Sequence, residues 1–321
     1  MELHKKFLSK KIIRSSIADL DKVRRVWSDN AQDKIMQQRK FVAWMNHPYI
    51  EHYYLNQRLT GNVEENWLIY FKKKYIPQQL QIGLTLGCGE GSLERNAIQI
   101  EVCERFEAFD IADGAIVLAK AEAAKHGLQE RIHYEVRDIN ISPLEEAKYD
   151  VIFVCMSAHH FMRLEHIYHE ISKALKPGGL FVLNEFVGPS QFQWTDQQLV
   201  IVNNLLALLP TKYREYIPLP GQLKDQCRRP TLEEMNIIDP SEAIRSAEII
   251  PLLLRHFQII DRFDYGGTIL HLLLQDIAGN FDSEKEEDLV LLKLLCYFEE
   301  TLIHQNIIPS DFTFIVAQKK A

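Results

Sequence analysis

Three glycines at alternate positions, Gly87, Gly89 and Gly91, carry the clearest chemical pattern in the chain. The mostly apolar run 82–86 before them predicts a short buried strand, and the run that starts at Ser92 predicts a helix. Glycine permits positive φ and lets a ligand lie against bare backbone, while a helix N-terminus offers free N–H donors. The pattern therefore predicts a turn that cradles a nucleotide-type ligand.

The spacing of these glycines separates two kinds of nucleotide site. A dinucleotide-binding turn reads G-x-G-x-x-G and requires a glycine at position 92, where this chain has Ser92. The observed G-x-G-x-G turn instead resembles that of the class I S-adenosylmethionine (SAM) methyltransferases. The resemblance implies that the turn from Leu86 to Gly91 holds the methionine part of SAM, with Cys88 as a small buried filler.

The elements that follow the turn alternate between strand and helix. Strands are predicted at 106–111, 132–136, 149–155 and 180–187, with helices at 112–126 and 163–175. Such alternation favours an α/β fold with a parallel, doubly wound sheet that binds ligands at the carboxyl ends of its strands. An L-K-P-G-G turn and acidic residues at two strand ends strengthen the resemblance. It implies a Rossmann-like sheet of seven strands, the last antiparallel and inserted between the fifth and sixth.

The resemblance also suggests a domain organisation. Residues 1–76 are predicted to form an N-terminal helical cap, and 77–321 the methyltransferase domain. That domain would carry a lid insertion at 189–240 and a helical insertion at 268–310. The segments N-E-F-V-G-P-S-Q-F-Q-W and D-I-A-G-N-F look similar to a subgroup of bacterial methyltransferases.

The aromatic-rich cap allows two interpretations. It packs on the core, as aromatic stripes commonly do, or part of it closes over the cofactor. In the second case Asn56, Arg58 and Asn62 would supply the polar contacts. A helix in this segment is expected to begin with a cap at 16–19 and to continue through Val23 and Trp27.

Cofactor contacts are assigned from residues at the strand ends. A carboxylate such as Asp110 can accept hydrogen bonds from both ribose hydroxyls, and Asp138 can accept one from the adenine amino group while Ile139 packs on the ring. The alternatives are a strand-end turn for Asp110 and a helix N-cap for Asp138. The predicted cofactor set is completed by Ile111, Cys155, Met156 and Ser157, the last three near the sulfonium.

Methyl transfer demands little acid–base chemistry, because the sulfonium of SAM is already a strong electrophile and positioning dominates the rate. A base is needed only for a hydroxyl or a protonated amine acceptor. The candidates are His159 and His160 after the fourth strand and Glu185 at the end of the fifth. Structural histidines and a glutamate that supports the lid are the alternatives. No metal is predicted, since the helical pair His166 and His169 is expected to face solvent.

Composition limits the remaining choices. The formal net charge of -7 argues against a nucleic-acid partner. The five cysteines form no C-x-x-C pair, and a cytoplasmic protein without a membrane span is expected. The predicted function is SAM-dependent methylation of a small molecule, such as a saccharide or a biosynthetic intermediate. A nucleic-acid methyltransferase and a non-catalytic SAM-binding partner protein are the alternatives, and homo-oligomerisation is left open.

Overall fold

A seven-stranded sheet forms the centre of the computed structural model, which describes residues 21–28 and 43–320. Its strands are β1 (Leu80–Leu86), β2 (Cys103–Asp110), β3 (Ile132–Val136), β4 (Tyr149–Cys155), β5 (Leu175–Phe186), β6 (Phe257–Gly266) and β7 (Phe312–Lys319). Their order across the sheet is β3-β2-β1-β4-β5-β7-β6. The first five strands pair in parallel, and β7 runs antiparallel to both of its neighbours. This arrangement confirms the predicted fold class.

Helices pack on both faces of the sheet and form much of the chain before and between its strands. They are α1 (21–28), α2 (Gln57–Thr60), α3 (Trp67–Tyr75), α4 (Ser92–Gln99), α5 (Asp113–Lys125), α6 (Leu164–Ala174), α7 (Asp196–Leu208), α8 (Leu232–Ile238), α9 (Ile249–His256), α10 (Leu270–Leu274) and α11 (Glu286–His304). A π-helix at Ile50–Asn56 leads into α2. The helix cap expected at 16–19 lies outside the described residues.

Helix α7 begins before its apolar pattern does. That pattern starts at Leu199, but the helix begins at Asp196. Thr195 accepts a hydrogen bond from the backbone N–H of Gln198, whose side chain accepts one from the backbone N–H of Thr195. This capping box satisfies two N–H groups that would otherwise lack partners, so the helix starts earlier than its apolar pattern suggests.

The predicted turn at 175–179 lies inside β5. Leu175 pairs with Tyr149 of β4, the register then shifts, and pairing resumes between Leu180 and Val151. Pro177 has no N–H to donate to a strand ladder, and Gly178 has a φ of 78°. The turn residues therefore form an irregularity within a longer strand.

Alternating side chains of β4 supply the cores on the two faces of the sheet. Phe153 belongs to the buried cluster that contains Phe71 of α3. Ile152 and Val154 belong to the opposite cluster, together with Ile167 of α6 and helix α9. Because both faces are covered, the carboxyl ends of the parallel strands are left as the edge where a ligand can enter.

A buried carboxylate joins three distant segments. Glu299 of α11 accepts hydrogen bonds from the backbone N–H groups of Gly267, Ile269 and Leu270, at 2.7–2.9 Å. The hydroxyl of Tyr54, in the π-helix, donates a further bond at 2.8 Å. Burial raises the pKa of Glu299, and the donors partly oppose that rise. The side chain thus ties the segment after β6 to the N-terminal region.

No helix in 21–28 or 43–320 combines the length and apolar character needed to span a bilayer.

Candidate functional site

The glycine turn joins the end of β1 to the start of α4. Gly87, Gly89 and Gly91 have φ values of 72°, 54° and 77°, which side-chain-bearing residues rarely adopt. A Cβ on Gly87 would collide with Ser157, and one on Gly91 with Tyr134. A Cβ on Gly89 would meet no atom within 4 Å. Two of the glycines therefore permit close packing, and the third presents bare backbone to open space.

Asp110 holds this turn from the end of the adjacent strand. Its Oδ1 accepts the N–H of Ala112 at 2.9 Å, and its Oδ2 accepts the N–H of Gly89 at 2.8 Å. Burial raises the pKa of Asp110, and these two N–H groups partly oppose the rise. Each carboxylate oxygen has two lone pairs, so both oxygens can accept a further hydrogen bond from a ligand.

Asp138 follows the end of β3 and belongs to a turn. Its Oδ1 accepts the backbone N–H of Asn140 at 2.9 Å and the side-chain amide of Asn140 at 3.1 Å. Asn140 in turn accepts the backbone N–H groups of Met162 and Arg163. No helix begins at Asp138, because residues 139–141 form a turn, so the helix N-cap alternative is wrong.

The three residues at the end of β4 change the direction of the chain beside the glycine turn. Met156 has a φ of 49° and is 40% exposed. The hydroxyl of Ser157 donates to the carbonyl of Leu86 at 2.9 Å. Burial raises the pKa of the Cys155 thiol well above its usual value, so this thiol stays protonated. The hydrogen bond from Ser157 to Leu86 holds the end of β4 against the end of β1.

His159 is a buried residue that pairs with Glu185. Its Nδ1 lies 2.5 Å from Oε1 of Glu185. The same carboxylate accepts the backbone N–H groups of Ser157, Ala158 and Phe186. Burial alone would lower the pKa of His159, but Glu185 and two further carboxylates raise it to about 9. Glu185 therefore favours the charged form of His159 and fixes the orientation of its ring.

His160 has the opposite electrostatic character. Its Nδ1 lies 3.1 Å from the hydroxyl oxygen of Ser241, and that hydroxyl donates to Oδ1 of Asp239 at 2.7 Å. Nδ1 of His160 must then carry the proton. Burial and the neighbouring charge of His159 lower the pKa of His160 well below its usual value. Its Nε2 is buried without a hydrogen-bond partner.

Glu242 completes this group and was not singled out from the sequence. Oε1 of Glu242 lies 3.6 Å from Nε2 of His159, and Oε2 lies 3.8 Å from Nε2 of His160. Burial raises the pKa of Glu242, and the charge of His159 partly opposes that rise. The D-P-S-E run at 239–242 lies far along the chain from the two histidines. Its sequence alone gave no signal of this proximity.

A cavity of about 680 Å³ extends over these strand ends. Most of the predicted cofactor residues line it, as does one catalytic candidate: Gly87, Cys88, Gly89, Asp110, Ile111, Asp138, Ile139, Cys155, Met156, Ser157 and His160. Leu86, Gly91, His159 and Glu185 are not among the lining residues. They contact the lining residues from behind or form the turn itself.

The N-terminal region contributes to this cavity through residues other than those expected. Trp27 of α1 lines it, and its ring contacts the ring of His160 with centroids 4.7 Å apart. The indole N–H of Trp27 donates to Asp239 at 3.0 Å. Trp67 of α3 also lines the cavity. Asn56, Arg58 and Asn62 do not line it. Asn56, for example, donates to a backbone carbonyl within its own segment.

A second cavity, of about 530 Å³, lies under the segment that follows β5. Phe192 and Trp194 form a stacked pair in its wall, with ring centroids 5.0 Å apart, and His271 packs edge-on against both rings. Asp239 and Glu242 also line it. Since Ser241 and His160 line the first cavity, the 239–242 run separates the two spaces.

A protein-family model described as a methyltransferase domain matches residues 83–237, which include the glycine turn and the ends of β2 to β5. Residues 83–237 are therefore a domain of the class I SAM-dependent methyltransferase family. This methyltransferase is accordingly an enzyme that takes SAM as cofactor. The match confirms the family that the glycine spacing and the strand-end residues indicated.

Individual relatives agree with this assignment. A demethylmenaquinone methyltransferase of Bacteroides fragilis is 25% identical over 177 residues, which cover 53% of this chain and 71% of that protein. A sterol 24-C-methyltransferase of Saccharomyces cerevisiae is 27% identical over 147 residues, 45% of this chain and 37% of that protein. The solved geranyl diphosphate C-methyltransferase of Streptomyces coelicolor shares the fold, with a TM-score of 0.52, 11% identity, and coverage of 94% and 97% of the two chains.

Proposed function

We propose that this methyltransferase transfers a methyl group from SAM to a small-molecule acceptor that binds next to the 239–242 run. The observation that carries the proposal is the meeting of two cavities at that run, one lined by the glycine turn and one by the stacked pair Phe192 and Trp194. Cavities of this size suit ligands that are largely enclosed. The relatives named above act on demethylmenaquinone and on a sterol, which are small molecules.

Several features of the first cavity support SAM binding there. Gly89 leaves space for the methionine part against bare backbone, and the N-terminus of α4 supplies N–H donors. Both oxygens of Asp110 retain a lone pair for the ribose hydroxyls. Asp138 and Ile139 are assigned to the adenine, and Met156 and Ser157 to the neighbourhood of the sulfonium. When bound, SAM supplies the activated methyl group, and the protein supplies position and exclusion of water.

The roles of the three catalytic candidates differ in this proposal. His159 and Glu185 are positioning residues, because their pairing is buried behind the cavity wall. His160 faces the cavity, and its neutral Nε2 has no partner. We assign the acceptor's reacting group to the neighbourhood of that nitrogen, with Glu242 beside it.

The helical segments around the site complete the domain proposal. Residues 1–76 would act as a cap, since Trp27 and Trp67 line the cofactor cavity. The 189–240 segment would act as the lid over the acceptor, since it supplies Phe192 and Trp194. The 268–310 segment would support it through His271, which packs against both rings.

Calorimetric titration with S-adenosylhomocysteine, with NADH as control, tests the cofactor site. Asp110→Asn places an amide N–H against one of two backbone donors, so we expect at least a tenfold loss of affinity, equivalent to about 1.4 kcal/mol. Glu104→Gln, an exposed change in the same strand, should bind like the unchanged protein. Equal affinity in all three proteins would remove Asp110 from the site.

Transfer of radiolabelled methyl from SAM tests the acceptor class. A small-molecule extract and a nucleic-acid fraction would be offered separately. We expect label in the small-molecule fraction only, with loss of transfer but intact S-adenosylhomocysteine binding in His160→Ala. Label in the nucleic-acid fraction would refute the proposed acceptor class, and binding without transfer to any fraction would favour a partner protein that binds SAM without turnover.

A further inference from the structure

Three side chains at or beside the 239–242 run direct their ligand atoms at one space. Each offers one ligand atom, an imidazole nitrogen of His159, an imidazole nitrogen of His160 and a carboxylate oxygen of Glu242, and these atoms all lie within 4.8 Å of one another. A tetrahedral metal ion with bonds of about 2.0–2.1 Å holds its ligand atoms about 3.3–3.5 Å apart. The distances from Nε2 of His159 to Oε1 of Glu242, 3.6 Å, and from Nε2 of His160 to Oε2 of Glu242, 3.8 Å, exceed that range by only a few tenths of an ångström.

The opposite ring nitrogens are already fixed in the way that metal ligands require. Nδ1–H of His159 donates directly to the carboxylate of Glu185. Nδ1–H of His160 donates to Ser241, whose hydroxyl donates to Asp239. Histidines that bind metals almost always donate their second N–H to a carboxylate or a comparable acceptor, which fixes the ring orientation and directs the lone pair at the metal. Both imidazoles therefore direct Nε2 toward Glu242.

The charge of the group also favours a cation. Glu185, Asp239 and Glu242 lie around the two imidazoles, and Asp239 and Glu242 both face the second cavity. Within the described part of the chain, none of these carboxylates forms an ion pair with a lysine or arginine. Nε2 of His160 is a buried nitrogen without a partner, and an unsatisfied buried polar atom is costly. A divalent ion would satisfy this nitrogen and offset the acidic charge.

We propose that His159, His160 and Glu242 form a binding site for a divalent transition metal ion. Two imidazoles and one carboxylate suit Zn²⁺ and the neighbouring transition metals, whereas Mg²⁺ and Ca²⁺ prefer sites made of oxygen ligands. Three protein ligands leave a coordination position open. Since His160 lines the first cavity and Glu242 the second, the acceptor would fill that position with an oxygen ligand such as a hydroxyl or carboxylate. This last step rests on the proposed function, but metal binding itself does not.

Metal binding can be measured without any methyl transfer. The full chain would be stripped with a chelator and titrated with Zn²⁺ by calorimetry and with Co²⁺ by visible absorption, which is strong for four-coordinate sites. We expect one ion per chain. Glu242→Gln and His160→Ala should each lower the affinity more than tenfold, and Ser241→Ala, which acts through His160, by about tenfold. His159 is left unchanged, because its removal would strand the buried carboxylate of Glu185.

The matched control is His126→Ala, which removes an exposed histidine at the end of α5 and should leave the affinity unchanged. Equal affinity in the ligand variants and the control would overturn the proposal, since the ion would then bind elsewhere. Absence of Zn²⁺ and Co²⁺ binding, with or without S-adenosylhomocysteine, would overturn it too. Metal binding in a protein that fails to bind S-adenosylhomocysteine would uphold this site and count against the proposed function instead.

Discussion

Glu94 offers a test of how the protein tolerates a carboxyl group in its core. It lies in the first turn of α4, directly after the glycine turn, and its side chain is fully buried. Burial raises the pKa of Glu94 to about 7, and the hydroxyl of Thr85 only partly opposes the rise. In the unfolded chain the same group titrates near its ordinary value of 4.5. The folded protein therefore holds the Glu94 proton more tightly than the unfolded chain does.

The sign of the pH dependence follows from linkage. The stability that this proton contributes is fully present below about pH 4.5 and is lost as the pH rises through about 7. The change between these limits is about 3 kcal/mol, since each pKa unit is worth about 1.4 kcal/mol. Glu94→Gln has nearly the same shape and cannot ionise. We expect the variant to gain about 3 kcal/mol relative to the unchanged protein between about pH 4.5 and pH 8.5.

Urea unfolding followed by tryptophan fluorescence at the two pH values measures this difference. The substitution can itself change the free energy of unfolding by an amount that does not depend on pH. That amount cancels, because the test uses only how the difference between variant and unchanged protein varies with pH. Glu130→Gln, an exposed substitution, should show no such change. If the relative stability of Glu94→Gln stays constant to within about 0.5 kcal/mol across this range, then Glu94 is not a carboxyl group held protonated by burial, and the reasoning fails.

Three further substitutions test packing around the site. Gly91→Ala sets a Cβ against Tyr134 at a φ of 77°, so we expect a loss of about 1–3 kcal/mol in urea unfolding; an unchanged midpoint would contradict this. Glu299→Ala leaves three buried backbone N–H groups without their acceptor, so the free energy of unfolding of this variant should fall by about 3 kcal/mol or more. A loss under about 1 kcal/mol would show that water replaces the carboxylate. Trp27→Phe keeps a ring but removes the hydrogen bond to Asp239, so S-adenosylhomocysteine should bind about 2- to 10-fold more weakly in calorimetry; equal binding would separate α1 from the cofactor site.

The fold was predictable because its signals are local. The strand before Gly87, the apolar run of β4 and the periodic helix α6 each specify their own conformation through spacing and polarity. The alternation of strands and helices then allows only a few sheet topologies, because the connections between parallel strands are nearly always right-handed. The same logic placed Asp110 and Asp138 at the ligand edge, because the carboxyl ends of parallel strands meet there.

Other features of the site depend on tertiary contacts that no local pattern encodes. Glu242 reaches His159 and His160 only because the chain returns to β4 after α8. Trp27 reaches the same place from the N-terminal helix. The side-chain amide of Asn56, which was expected to contact the cofactor, instead donates a hydrogen bond to the backbone carbonyl of Val63. Side-chain type gave the chemistry that each residue can perform, but the partners were set by the packing of distant segments.

The place of β7 in the sheet has a consequence for how the chain acquires its structure. β7 separates β5 from β6, although β6 precedes it by 45 residues along the chain. During synthesis β6 therefore has no strand to pair with, and β5 presents an open ladder of N–H and C=O groups until residues 312–319 arrive. An unpaired strand of this kind invites pairing with other chains. Slow elongation between β6 and β7 would prolong that exposure, so the yield of native protein should depend on how quickly this part of the message is translated.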